Sequence, residues 1–553
     1  MAITLGMVEA IDSDGVYVVM PGSRGLLRGP YKALSTVAAG TTVLVASTDD
    51  GEQVVVGPSA GQDGAVSVTA FGAKGDGVTD DTAAINAAIL AAAATDASVV
   101  VVPPGEYAIS APIVLEDVSD LTLRGCGGVI QMVGTGARYS AVQLEGTVSS
   151  VTIEGLHIKG SGVLADAHAG IANDSGVTIT DLRILGNTIE DTTIAVSVNA
   201  DLSGSVSGAL IEGNTILLVI GTAAGYGYGI HHASGDYAEI ANVRILGNTI
   251  VDAGRHSIYQ AKGRGVVVSG NTIRDHRLTG KAGQEGSLRP AIMLSRSYDV
   301  CCTGNVVVNS AGCAVGVDGT DGATESRNST VTGNVFSGAT DQCPIMLVGQ
   351  QSPATEGFPS HVVIADNVFE RNDDDGSLIY LLDGKHIRIA NNVLSLRNAA
   401  ALSTMLAIVG QSESTGTANY TDDIAVEGNT FIGQGSAEVN PVRLSGSEET
   451  AARLAFRDNI HVNNAGASDF FALSVSLTNP NVTVSRNPRT GLSATGGTLV
   501  VEELGDVTTD RVGFHGVSPI AKPTVTGSRG GNAALASLLT ELANLGLITD
   551  SSS

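Results

Sequence analysis

One short string recurs along this chain, and its recurrence restricts the fold more than any other feature. Gly186-Asn187-Thr188-Ile189 returns as Gly213-Asn214-Thr215-Ile216, Gly247-Asn248-Thr249-Ile250 and Gly270-Asn271-Thr272-Ile273. It continues in looser form as Gly304-Asn305-Val306, Gly333-Asn334-Val335-Phe336, Asp366-Asn367-Val368-Phe369, Asn391-Asn392-Val393-Leu394, Gly428-Asn429-Thr430-Phe431 and Asp458-Asn459-Ile460. Successive asparagines stand 27, 34, 23, 34, 29, 33, 25, 37 and 30 residues apart. A short alternating strand, such as Val243-Arg244-Ile245-Leu246, precedes each hit, and a second strand follows.

Such a repeat is a solenoid signature. Alternation buries one side of each strand and leaves the other to water. A sharp bend between two strands needs a residue that tolerates positive φ, and Gly and Asn do so at the lowest cost. If every coil bends at the same place, the asparagines stack ~4.8 Å apart and bond along the axis as a ladder. The fold expected is an all-β, parallel β-helix, with unequal spacings absorbed as loop insertions between fixed turns.

Composition agrees. Of 553 residues 70 are Gly, charged residues are 16%, aromatics 4% and Trp is absent, which is unlike an ordinary α/β enzyme. The 43% hydrophobic content argues against disorder, and 15 prolines without a G-X-Y period exclude collagen. A net charge of −26 without Lys/Arg clusters argues against nucleic-acid binding. No apolar run is long enough to span a membrane, and Met1-Ala2-Ile3-Thr4 lacks the basic start of a secretory leader. Five cysteines, odd in number and without CxxC spacing, read as free thiols; no metal or cofactor is expected.

Before the repeats, Phe71-Gly72-Ala73-Lys74-Gly75-Asp76-Gly77-Val78-Thr79-Asp80-Asp81-Thr82 leads into a helix, Ala83-Ala84-Ile85-Asn86-Ala87-Ala88-Ile89, with Thr79 or Asp80 expected at its N-cap. Val99-Val100-Val101-Val102-Pro103-Pro104-Gly105-Glu106-Tyr107 follows. This stretch resembles the opening of the pectate-lyase-like superfamily, which includes pectin-degrading enzymes, relatives of glycoside hydrolase family 28 and phage tailspikes. The resemblance implies a right-handed parallel β-helix whose open end the helix caps, covering a sheet edge that would otherwise be adhesive.

Two flanks accompany the repeats. Residues 1–61 alternate tightly and read as a small β-barrel for attachment; residues 62–490 form the capped β-helix, 491–525 a β-rich connector and 526–553 a terminal helix. The helix carries Leu535, Leu538, Leu542 and Leu545 at heptad-like spacing and is too short to stand alone in water, so self-association is expected. Val512-Gly513-Phe514-His515-Gly516-Val517-Ser518-Pro519 and the terminal helix resemble the C-terminal module of phage tail proteins, which implies a homotrimer.

Candidate chemistry lies at matching heights of neighbouring coils. Asp191, Asp252 and Asp275 each stand four residues after a ladder asparagine, and Asp252 and Asp275 belong to consecutive coils. Carboxylates ~5–5.5 Å apart suit a retaining glycosidase, with His256 and His276 nearby as proton shuttles. A second stripe, His231, Tyr259, Met293 or Ser295, and Asp318, follows inward Ile/Val positions and is expected to line a glycan-binding groove. Asn372-Asp373-Asp374-Asp375-Gly376 reads as a solvated acidic turn rather than a full calcium loop.

The expectation is therefore a phage tailspike or minor tail protein in the virion, synthesised in the host cytoplasm. The barrel would bind tail-tip or baseplate proteins, and the β-helix would contact host surface polysaccharide. The alternative on the same fold is a polysaccharide depolymerase, hydrolase or lyase.

Overall fold

The glycine of each Gly-Asn pair bends the chain where the repeat demands it. In the computed structural model, Gly186, Gly213, Gly247, Gly270, Gly304, Gly333 and Gly428 all have φ between 58° and 65°. Where the glycine is replaced, Asp366, Asn391 and Asp458 hold the same left-handed conformation at 57°, 54° and 53°. These are the side chains that tolerate it best. The structure describes strands between residues 2 and 58. It then covers 65–133, 140–161, 169–200, 203–219, 227–233, 240–276, 290–318, 326–338, 344–349, 359–372, 377–399, 403–410, 421–446 and 453–463, less 96–97, 383 and 436–438. Beyond these it covers a few short strands and one helix. The acidic run 373–376 and most of 491–525 lie outside the described residues.

Each coil contributes three runs of strand. On the first face, Tyr228–Ala233, His256–Ala261, Ile292–Ser295 and Val315–Asp318 pair in parallel. On the second, Arg244–Leu246, Gly263–Ser269 and Tyr298–Thr303 do so. On the third, Thr249–Ala253, Thr272–Arg274 and Val306–Val308 do so. The first two faces belong to a 32-stranded sheet and the third to a 14-stranded sheet. Inward side chains stack like with like. Ile184, Ile211 and Ile245 are in register on the second face, and Ile189, Ile216, Ile250 and Ile273 on the third, all fully buried. Burying each such side chain stabilises the fold by about 1.5–3 kcal/mol before chain entropy is counted.

Between the second and third faces runs the asparagine ladder. Each residue from Asn187 to Asn429 donates its backbone N–H and its Nδ2 to Oδ1 of the next ladder asparagine, at 2.8–3.0 Å. The same Nδ2 reaches back to a carbonyl of the preceding coil, as Asn248 does to Ile211 O at 2.9 Å. Asn248→Ala would strip Asn214 of the acceptor for both its N–H and its Nδ2, and each buried group so orphaned costs about 1–3 kcal/mol. The expected result is a loss of several kcal/mol, read as a lower melting temperature, whereas Thr249→Ala, at a half-buried position beside the ladder, should cost much less.

The capping segment is built by its aspartates. Helix Thr82–Ala93 buries Ile85, Ala88, Ile89 and Ala92. Its N-cap is Asp81, not Thr79 or Asp80 as expected. Asp81 turns its carboxylate away from the helix and accepts the N–H groups of Lys74 at 2.6 Å and Gly75 at 3.0 Å, pinning the glycine-rich loop. Asp80 supplies the helix-end bond instead, accepting from Thr82 N at 3.0 Å.

The N-terminal strands pair among themselves. Ala2–Asp12 lies antiparallel to Gly15–Val19 and to Thr42–Ser47; Leu27–Ala33 pairs with Gly15–Val19 and Gln53–Pro58, and the last pairs with Thr42–Ser47. At the other end, helix Ala533–Asn544 is capped by Asn532, whose Oδ1 accepts Ala534 N at 3.0 Å and Leu535 N at 3.1 Å.

Candidate functional site

Register decides which side chains meet. On the first face Ser197, His231, Tyr259, Met293 and Gly316 follow one another in successive coils. This column faces outward, because its neighbours Ile230, Ile258 and Ile292 are fully buried. Tyr228 and His256 are in register at the entrance to the same strands. Together these residues form an aromatic cluster. The His231 ring stacks on Tyr259 at 5.4 Å between centroids, Tyr228 lies 4.6 Å from His231 and 5.6 Å from Tyr259, and His256 lies 5.2 Å from Tyr259.

Two arginines frame the cluster. The Arg255 guanidinium sits 5.0 Å over the Tyr228 ring. Arg296 hydrogen-bonds the Tyr259 side chain. Burial, followed by the Asp318 charge, raises the Tyr259 phenol above its ordinary value against the pull of Arg296 and Arg255, so it remains a proton donor at neutral pH. His231 is lowered to about 4, by burial first and then by Arg255, so it is a neutral imidazole at pH 7. Its Nδ1 is 3.3 Å from Ser197 Oγ. The Nδ1 of His256 lies 2.6 Å from Pro290 O, an acceptor only, so the proton of a neutral ring sits on Nδ1 and its accepting nitrogen is Nε2.

The other expected residues are placed differently. Asp252 and Asp275 do occupy one corner of consecutive coils, with φ of 63° and 53°, in a column with Asp191 at 55° and Asn309 at 55°. They are left-handed bend residues, and Asp275 Oδ1 accepts Asn309 Nδ2 at 3.2 Å. Ser295 is buried, and its carbonyl accepts Lys262 N and Ser297 Oγ. Asp318 stands beside Ser295 in register, one column from Tyr259, and is 8% exposed. His276, expected as a shuttle, is fully buried with Nε2 on Arg255 O at 2.7 Å and Nδ1 on Ser310 Oγ at 2.9 Å, which makes it a brace beneath Arg255. Arg255, Arg296 and Tyr228 were missed because they fall on turns and strand entrances, off the ladder offset. The signal available was the register of Tyr228 with His256.

The cluster holds neutral imidazole, protonated phenol and guanidinium side by side. That set can take a proton, give one and neutralise a carboxylate. Among the described residues no group of three or more His, Cys, Asp or Glu side chains is arranged to hold a metal ion. The buried thiol of Cys302 is pushed up to about 12 by burial, with a smaller push from Cys301, so it stays protonated.

Residues 65–147 match the family described as rhamnogalacturonase A/epimerase, pectate lyase-like, and residues 207–357 match the right handed beta helix region. Alginate lyase 7 of Azotobacter vinelandii is 37% identical over 117 residues, 21% of this chain and 12% of that protein. Mannuronan C5-epimerase AlgE2 of the same organism is 35% identical over 119 residues, 21% of this chain and 10% of that protein. The alignment thus spans only about a tenth of either relative's length. Among solved structures, the A. vinelandii mannuronan C-5 epimerase AlgE4 A-module superposes with a TM-score of 0.38 at 16% identity, over 76% of this chain and 99% of that one. The bacteriophage Phi29 gene product 12 N-terminal fragment gives 0.48 at 15% identity, over 84% and 75%. Strand pairing and both family matches agree on the fold: this chain is built on a right-handed parallel β-helix of the pectate-lyase-like kind.

Proposed function

We propose that this is a polysaccharide-active protein that removes the proton α to a uronate carboxylate, as a lyase or epimerase does, in the groove over His231 and Tyr259. One observation carries the reading: a neutral imidazole and a protonated phenol stack on one outward column between Arg255 and Arg296. Carbon acids next to a carboxylate ionise only when the developing enolate charge is met, and a guanidinium meets it. His231 would take the proton, and Tyr259 would give one to the leaving oxygen or back to the ring. Hydrolysis needs two carboxylates flanking the bond. The cluster offers one, Asp318, while Asp252 and Asp275 serve at a backbone corner. The names of the two A. vinelandii relatives, a lyase and an epimerase, lend support. Incubation with uronate-containing polymers should yield unsaturated product, seen by ultraviolet absorbance, or an altered uronate ratio by NMR. New reducing ends without unsaturation would instead favour hydrolysis at Asp252 and Asp275.

A structural role in a phage virion is the second reading, with the N-terminal strands docking on tail proteins and the terminal helix holding a homotrimer. It is favoured by Leu535 and Leu538, exposed at 39% and 56% on a 12-residue helix. Light scattering should give a trimer mass that Leu538→Lys lowers; a monomer mass for the unmodified chain overturns the trimer.

A further inference from the structure

The inward column of the first face changes character at one height. Leu294, Val317, Val348 and Leu381 follow in register and are buried apolar side chains. In the two coils before them the column holds His232 and Gln260, directly paired and fully buried. His232 Nδ1, His232 Nε2 and Gln260 Oε1 have no hydrogen-bond partner among the described residues. Among the described residues Gln260 Nε2 reaches its neighbour's carbonyl, Ala261 O, at 3.5 Å. Room for this amide is provided by Gly263, where a Cβ would come within 2.3 Å of Gln260 Nε2.

Leaving three buried polar atoms unpaired destabilises the fold, and a leucine at either position would avoid that cost. The pair also lies on the same strands, one residue along, as His231 and Tyr259. We propose that His232 and Gln260 hold water inside the β-helix and that this internal water site makes them positioning residues for His231 and Tyr259. Water fits because it both donates and accepts: one molecule can accept the imidazole N–H and donate to Gln260 Oε1. The bridge ties two consecutive strands from within, so the outward stack keeps its 5.4 Å spacing. The second half rests on the function proposed above; the water site does not.

High-resolution crystallography of the full chain tests the site. Water within hydrogen-bonding distance of both side chains supports it; His232 and Gln260 bonded to each other or to protein alone overturns it. For positioning, His232→Leu and Gln260→Leu should keep or raise the melting temperature while lowering kcat on a uronate polymer about tenfold with KM retained. His232→Gln, which can still hold water, should recover most of the rate. Unchanged kcat in both leucine variants overturns the positioning role. If the unmodified chain acts on no uronate polymer, the proposed chemistry fails while the crystallographic water still decides the site.

Discussion

Tyr259→Phe should lower turnover of a uronate-containing polysaccharide by ~10²–10⁴-fold, the usual contribution of a positioned proton donor. The hydroxyl is the only group this substitution removes, so the ring stack on His231 persists and melting should move little. His231→Ala should fall by a similar factor, and the double variant should be little worse than either single one, because acid and base act as a unit. The pH profile supplies a separate check. With His231 lowered to about 4, the acidic limb of kcat/KM should fall near pH 4 rather than near 6.5. Arg255→Lys should raise that limb's pKa little, since a cation remains, whereas Arg255→Ala should shift it upward. If Tyr259→Phe retains full activity on a polymer the unmodified chain degrades, the proton-donor assignment is wrong.

Acid should unfold this protein early, because His232 and His276 add to the effect of His231, itself lowered to about 4. His232 is lowered to about 3, by burial first and then by His231. His276 is lowered to about 4 by burial, partly offset by its bond to the Arg255 backbone. All three folded-state values lie below the unfolded value of about 6.5. As pH falls through 6.5 the unfolded chain binds protons that the folded chain refuses. The stability present above pH 6.5 is therefore lost progressively down to about pH 3–4. At pH 5 the loss is about 2 kcal/mol for each histidine relative to pH 7, about 6 kcal/mol for the three together. Thermal unfolding at pH 7 and pH 5 reads it, and His232→Leu should remove about a third of the difference. A melting temperature independent of pH over that range contradicts the buried neutral state of all three rings.

Most of the scaffold was legible in the order of residues. The Gly-Asn string marks a bend because its first residue must take φ near +60°, and the same string identifies the ladder because only an amide side chain can donate and accept at every coil. The cap was visible as a helix, but the roles of its three aspartates were not: Asp76, Asp80 and Asp81 each bond a different backbone N–H, a choice made by loop geometry. Half of the site was visible as well. Counting from the buried isoleucines put His231 and Tyr259 on one outward column, where they stack. The same counting put Asp252 and Asp275 at one height but could not show that both have left-handed backbones at a corner.

What the linear sequence by itself determined is therefore the repeat, the bend positions and the identity of the inward and outward columns, since all three follow from local steric rules and a period of two. What only the tertiary structure decided is which coils stand next to which residue after loops of unequal length. That brings Arg255 and Arg296 onto Tyr228 and Tyr259, turns His276 into a brace, and sets His232 behind the site with neither ring nitrogen bonded among the described residues. The physical reason is that charge, burial and ring contact depend on distances across coils, and these are closed by parallel pairing rather than by neighbours along the chain.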